Sequence, residues 1–145
     1  MLFRSRTLGI VGLGQVGQEV AQIGRAFGMD VIAWSRNLTE EKALEHGCGF
    51  CANLINLAKL ADVVSVNVGG GEDTDNLVNE KFLAALKPGA ILVNTSRGGV
   101  VDQAALGNAI RTRGLRAGLD VWANEPEAAE GTFADVIVQI GRAHV

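Results

Sequence analysis

The sequence has little of several features that would assign a protein to a class at once. Its 145 residues include two cysteines and two prolines, and no apolar run approaches the length that spans a bilayer. Two cysteines are too few for the disulfide framework of a small secreted domain. No signal peptide with a cleavage site is visible. We therefore expect a cytoplasmic protein without a membrane partner.

An excess of charge of one sign is also missing. Lysine and arginine total 13 against 16 acidic residues, which gives a formal net charge of -3. No block of like charge stands out along the chain. Domains that bind nucleic acid usually carry a basic patch or stripe. We therefore expect no nucleic-acid partner.

What the chain does contain is an alternation of short apolar runs and amphipathic stretches, on the scale of one domain. The predicted strands are residues 7–12, 30–34, 62–68, 90–94 and 117–121, and residues 136–138 are predicted to begin another. The predicted helices are residues 16–27, a helix starting at 39, 54–60, 80–86 and a helix capped by Asp102 that runs to about 113. This alternation predicts an α/β fold with a doubly wound parallel sheet and helices on both faces.

A glycine motif, Gly12-x-Gly14-x-x-Gly17, lies between the first predicted strand and the first predicted helix. In a Rossmann domain the first glycine of this motif allows a tight turn, the second admits a pyrophosphate, and the third allows close packing of helix on strand. The helix N-terminus adds N–H groups and a positive dipole end. The motif predicts a dinucleotide site, with a merely structural glycine-rich turn as the alternative.

The end of the second predicted strand bears on the choice of dinucleotide. Sites that prefer NAD usually carry a carboxylate there, which accepts hydrogen bonds from the ribose hydroxyls. This chain instead has Ser35 and Arg36. A guanidinium without a carboxylate suits a 2′-phosphate. We therefore expect an NAD(P) site that prefers NADP(H), with a solvated surface charge as the alternative for Arg36.

Three segments together resemble the D-isomer-specific 2-hydroxyacid dehydrogenases, a family that includes 3-phosphoglycerate dehydrogenases and glyoxylate/hydroxypyruvate reductases. The segments are LGIVGLG at residues 8–14, NTSRGGVVD at 94–102 and GLDVWANEP at 118–126. The resemblance runs from about residue 6 to residue 138. It implies an oxidoreductase that transfers hydride between NAD(P)H and a small 2-oxo or 2-hydroxy acid, and a homodimer in the full-length protein.

The resemblance also implies roles for individual residues. Arg97 matches the cation that holds the substrate carboxylate and polarises its carbonyl. Glu125 matches the glutamate that tunes the family's proton-donating histidine, with a surface acid as its alternative. Asp120 matches the aspartate that accepts a hydrogen bond from the nicotinamide carboxamide.

Further positions match cofactor contacts of the family. Gln15 and Val16 match positions at the pyrophosphate, where the family usually has Arg-Ile. The positions that match the nicotinamide side are Val68, Thr95 and Ser96. The chain departs from the family after residue 68, where GGGEDT at 69–74 replaces a frequent Pro-Leu pair and makes the loop more flexible and more acidic.

Both ends of the sequence look non-native. Residues 1–5 and 139–145 match translations of a common sequencing adapter, so we expect native sequence only from about residue 6 to residue 138. On this interpretation His144 is not the family's histidine. The substrate domain and that histidine would lie outside the chain, which would bind cofactor weakly at best and would not turn over.

Two other interpretations stay open from the sequence. Cys48 and Cys51 have C-x-x-C spacing and precede a short strand-like segment. Neither a metal site nor a redox motif has its expected sequence context here. We expect two small, partly buried thiols. The scaffold also serves dinucleotide-sensing regulatory modules of the corepressor type and NAD-dependent hydrolases. Because Arg97 and Glu125 are both present, we favour the dehydrogenase.

Overall fold

The apolar runs of the sequence form the strands of one parallel sheet in the computed structural model, which describes residues 5–123. The strands are β1 (Thr7–Val11), β2 (Asp30–Trp34), β3 (Gly49–Phe50), β4 (Val63–Val66), β5 (Ile91–Asn94) and β6 (Arg116–Leu119). Their order is β3-β2-β1-β4-β5-β6, and every neighbouring pair is parallel. Because the chain winds outward in both directions from β1, the predicted doubly wound sheet is confirmed.

Helices cover both faces of this sheet. They are α1 (Gln15–Ala26), α2 (Glu40–Glu45), α3 (Leu54–Leu60), α4 (Glu80–Ala85) and α5 (Gln103–Arg113). Ala21 of α1 and Ala43 of α2 lie in one buried cluster with Ile10, whereas Leu57 of α3 lies in a second cluster with Val11, together with residues of α4 and α5. Successive strand residues face opposite sides of a sheet, so the two clusters are its two faces. None of the helices within residues 5–123 has the length and apolar character that a membrane crossing requires.

The predicted helix boundaries rest on side-chain caps that the structure contains. The Thr39 hydroxyl accepts from the backbone N–H of Lys42 at 3.3 Å, and the Asp102 carboxylate accepts from that of Ala105 at 3.0 Å. Both bonds satisfy N–H groups that have no partner within the helix. These helix starts are therefore confirmed.

Helix α1 packs Val20 against the sheet but leaves the other large apolar residues of its stripe exposed. Val16, Ile23 and Phe27 are 60%, 55% and 61% exposed, although a stripe at this spacing normally faces a core. The helix buries its smallest residues instead, namely Gly17, Ala21 and Gly24. Small residues let the helix approach the sheet closely, which brings its N-terminus against the end of β1.

The two cysteines flank the shortest strand rather than precede it. β3 lies between them, which corrects the predicted order. Cys48 belongs to the buried cluster on the α1 face and Cys51 to the cluster on the opposite face. Burial raises the pKa of both thiols. The expected buried thiols are confirmed, and their side chains lie on opposite faces, where they do not meet.

Candidate cofactor site

The glycine turn between β1 and α1 lies at the carboxyl edge of the sheet, beside the point where the strand order reverses. Gly12 has a φ of +95°, and its N–H donates to the Trp34 carbonyl of β2 at 2.8 Å. A Cβ on Gly17 would overlap the carbonyl oxygen of Gly12. The first glycine thus makes the turn and the third seats the helix on it, as the motif predicts.

Gly14 is the opposite case, because a Cβ there would have no chain atom within 4 Å. It is the N-cap of α1 and accepts the first helical hydrogen bond, from the Gln18 N–H at 2.9 Å. The N–H groups of Gln15, Val16 and Gly17 therefore have no partner within the helix. Open space in front of these donors and the positive end of the helix fit a pyrophosphate.

Side chains brace the same loop from outside. The Ser35 hydroxyl accepts from the Leu13 N–H at 2.6 Å, and the Gln18 amide donates to the Leu13 carbonyl at 3.2 Å. Both backbone groups of Leu13 are therefore fixed. Sequence reasoning placed Ser35 near the ribose but missed this brace, which joins residues 22 positions apart.

Arg36, the cation after β2, is paired with an acid from a distant loop. Its Nη1 lies 3.0 Å from the Asp73 carboxylate, and its Nη2 donates to the Asp73 carbonyl at 3.2 Å. The two side chains are 58% and 79% exposed. Arg36 and the loop residues Gly69–Thr74 line a cavity of about 430 Å³.

The loop after β4, residues 69–74, contacts Arg36 through Asp73 and Arg97 through Gly70. The Thr74 hydroxyl donates to the carbonyl oxygens of Gly69 and Gly71, which lie 2.8 and 3.0 Å from its Oγ1. At Gly70 a Cβ would lie 2.7 Å from Cγ of Arg97. Gly70 therefore leaves the space that the Arg97 side chain occupies. Val68, at the start of the loop, is half-buried.

Asn94, the last residue of β5, organises the turn that carries Arg97. It is fully buried; its amide donates to the Arg97 carbonyl at 3.0 Å, and its oxygen accepts from the N–H and hydroxyl of Ser96 at 3.1 and 2.8 Å. Thr95 and Arg97 are exposed. The Arg97 guanidinium donates to the Ser96 carbonyl at 2.8 Å. The sequence signal for Asn94 is a polar residue at the end of an apolar strand.

The end of β6 completes the edge. The N–H of Asp120 donates to the Asn94 carbonyl at 3.1 Å, and the Asp120 side chain is exposed. A Cβ on Gly98 would overlap the backbone of Trp122, so the segments after β5 and β6 lie in contact.

The candidate residues within 5–123 therefore meet at one carboxyl edge, where open α/β sheets bind ligands. The turn after β1 offers donors for phosphate, and the turns after β4, β5 and β6 carry the candidates for the nicotinamide side. Arg97 adds an exposed cation to this edge. Glu125, residues 136–138 and His144 lie outside the described residues.

Known proteins are similar in sequence to this chain over most of its length. The sequence model described as "D-isomer specific 2-hydroxyacid dehydrogenase, NAD binding domain" matches residues 2–145. D-3-phosphoglycerate dehydrogenase of Synechocystis sp. is 39% identical over 136 residues, which are 92% of this chain and 24% of that protein. Glyoxylate reductase of Thermococcus litoralis is 40% identical over 131 residues, which are 90% of this chain and 39% of that protein.

Solved structures agree with the sequence comparison. D-lactate dehydrogenase from Aquifex aeolicus, complexed with NAD and lactic acid, superposes with a TM-score of 0.82 at 35% identity. The match covers 94% of this chain and 42% of that one. The chain thus spans about a quarter to two fifths of the length of these relatives. It belongs to the D-isomer specific 2-hydroxyacid dehydrogenase family, as the NAD-binding domain of that family.

Proposed function

We propose that the chain is the cofactor-binding part of an oxidoreductase that transfers hydride between a nicotinamide dinucleotide and a small 2-oxo or 2-hydroxy acid. The observation that carries this proposal is the exposed guanidinium of Arg97 at the same sheet edge as the phosphate loop. A 2-oxo acid offers a carboxylate that a guanidinium binds in a bidentate, charge-assisted manner. The relatives described above are all dehydrogenases or reductases, which favours an enzyme over a regulatory module or a hydrolase.

Different residues of this edge bind different parts of the dinucleotide. The N–H groups of Gln15, Val16 and Gly17 bind the pyrophosphate, and Asp120 accepts from the carboxamide. Val68, Thr95 and Ser96 line the nicotinamide side. A dinucleotide bound by these residues would supply or accept the hydride.

Arg97 is the substrate cation of this proposal. It binds the substrate carboxylate and polarises the carbonyl, and Asn94 fixes the backbone from which Arg97 projects.

The proton donor of this reaction lies outside the described residues. Glu125 would tune a histidine supplied by sequence beyond this chain, which would also supply the substrate domain. The chain alone would then bind cofactor weakly and would not turn over, and the full-length protein would be a homodimer.

Arg36 favours NADP(H) over NAD(H) in this proposal. Its guanidinium is exposed beside a cavity at the end of β2 and suits a 2′-phosphate. The change Arg36→Gln is expected to weaken binding of NADPH and to leave binding of NADH unchanged. Equal or tighter binding of NADH by the unaltered chain would contradict this preference.

The experiment for the activity uses the full-length protein restored from flanking genomic sequence. We expect it to reduce glyoxylate, hydroxypyruvate or a related acid, and Arg97→Ala to lower kcat/KM by about 10²–10³ because a charged contact to the reacting group is lost. Arg111→Ala, which removes an exposed arginine of α5, is the matched control and should change little. Dinucleotide binding without turnover of any 2-oxo acid would instead favour a sensing module.

A further inference from the structure

The Arg36–Asp73 pair joins two parts of the chain that are 37 positions apart. Asp73 meets Arg36 through both its carboxylate and its carbonyl, at 3.0 and 3.2 Å. The pair therefore places the negative charge of Asp73 beside Arg36, at the end of β2, where the residues next to Arg36 in sequence carry no negative charge. A 2′-phosphate that approaches Arg36 meets this carboxylate as well.

We propose that Asp73 is a specificity-determining residue, because its carboxylate competes with the 2′-phosphate of NADP(H) for the guanidinium of Arg36. This inference rests on the proposed role of Arg36. It states that the preference for NADP(H) is set by the pair and not by the arginine alone, and that Asp73 limits that preference.

The exposure of the pair makes such an exchange feasible. With side chains 58% and 79% exposed, the ion pair is of the solvated kind that stabilises a protein little. A phosphate carries more negative charge than a carboxylate and offers three acceptor oxygens to the same guanidinium fork. The phosphate therefore takes Arg36 from Asp73, and the lost pair subtracts from the binding of NADP(H).

The surroundings of the pair leave room for the phosphate. The cavity of about 430 Å³ is lined by Arg36 and by a loop that begins with three glycines, Gly69–Gly71. Glu72 lines the same cavity, although no hydrogen bond or ion pair to Arg36 is found for its side chain within residues 5–123. Asp73 and Glu72 thus have the same charge in the same loop, but it is Asp73 that accepts hydrogen bonds from Arg36.

This difference supplies the matched variants. NADPH and NADH are titrated into the 145-residue chain, and binding is followed by amide chemical shifts, which report weak affinities. Asp73→Asn is expected to tighten NADPH binding about two- to tenfold at low salt and to leave NADH binding unchanged. Glu72→Gln removes an equal charge and is expected to change NADPH binding less than about twofold.

The double variant Arg36→Gln/Asp73→Asn isolates the pair. Without Arg36 the Asp73 substitution should have no effect, so the double variant should bind NADPH as Arg36→Gln does. A gain in Asp73→Asn that persists without Arg36, or an equal gain in Glu72→Gln, would overturn the inference. So would unchanged NADPH binding in Asp73→Asn. Weaker NADH binding in Asp73→Asn would show that Asp73 accepts from the ribose instead, and would also overturn it.

The same titrations separate the two proposals. If Arg36→Gln weakens NADPH binding but Asp73→Asn does not strengthen it, the competition fails while the role of Arg36 stands. If Arg36→Gln leaves NADPH binding unchanged, the role of Arg36 fails and the competition fails with it. If neither dinucleotide shifts the amides of Gly12–Gly17, the proposed cofactor site itself is wrong.

Discussion

At the scale of single residues, Asn94 is the position on which the candidate site depends most. It is fully buried and uses its amide and its oxygen to shape the turn from Ser96 to Arg97. A buried polar group that loses its partner pays the desolvation cost without compensation. The orientation of Arg97 is therefore tied to the stability of the fold.

Asn94→Ala is expected to lower the free energy of unfolding by about 1–3 kcal/mol, because the Arg97 carbonyl and the Ser96 N–H lose their buried partner. Urea unfolding measures this loss. Asn108→Ala, on the exposed surface of α5, is the control and should lose no stability. Equal unfolding midpoints for Asn94→Ala and the unaltered chain would show that the turn does not depend on Asn94.

The residue scale also shows what sequence could and could not predict. The roles of Gly12 and Gly17 could be predicted because the motif is local. Each of these glycines is required by backbone atoms that lie close to it. The bond from Leu13 to Ser35 and the pair of Arg36 with Asp73 were not predicted. Each contact joins residues that follow two different strands, and these residues approach each other only when the sheet forms. The sequence around one residue does not indicate which distant residue it will contact.

At the scale of elements, the strands and helix starts were predictable because each has a local cause. Apolar runs make buried parallel strands, and Thr39 and Asp102 cap their own helices. The orientation of α1 was not predictable in this way. Of its apolar stripe Val20 packs against the sheet, whereas the close approach required at Gly17 makes small residues the fully buried ones.

Asp62 ties several elements together at the opposite edge of the sheet. Its carboxylate accepts from the Thr7 N–H of β1 at 2.8 Å and lies 3.0 Å from Nζ of Lys87 and 3.6 Å from Nη1 of Arg6. Burial raises the pKa of this carboxyl, but the Thr7 N–H, Lys87 and Arg6 outweigh burial and hold the pKa below its ordinary value of 3.8. The contribution to stability is therefore present above the unfolded pKa and is lost as pH falls through the folded one.

Asp62→Asn is expected to lower the free energy of unfolding near neutral pH, since it removes the charge that these partners stabilise. The difference from the unaltered chain should shrink as the pH falls below 3.8. Urea unfolding across an acidic pH series measures it, with the exposed Asp30→Asn as control. A difference that stays constant down to the acid limit would mean that the ionised carboxylate does not stabilise the fold.

At the scale of the whole molecule, residues 5–123 form one sheet whose carboxyl edge gathers the residues proposed to bind the cofactor. The relatives it matches are longer, and the chain spans about a quarter to two fifths of them. Five turns, after β1, β2, β4, β5 and β6, build the edge within residues 5–123. We therefore expect this chain by itself to form a nicotinamide-dinucleotide site.

Gly14 offers the most direct test, because an alanine there meets no chain atom within 4 Å yet fills the space assigned to the pyrophosphate. The measurement is the titration of NADPH and NADH into the chain and into its Gly14→Ala variant, followed by amide shifts, with urea unfolding as the check on folding. We predict that the chain binds, and that Gly14→Ala stays folded with a loss of about 1 kcal/mol or less from the poorer N-cap but loses most of its affinity. Equal binding by both proteins, or no binding by the unaltered chain, would contradict the account.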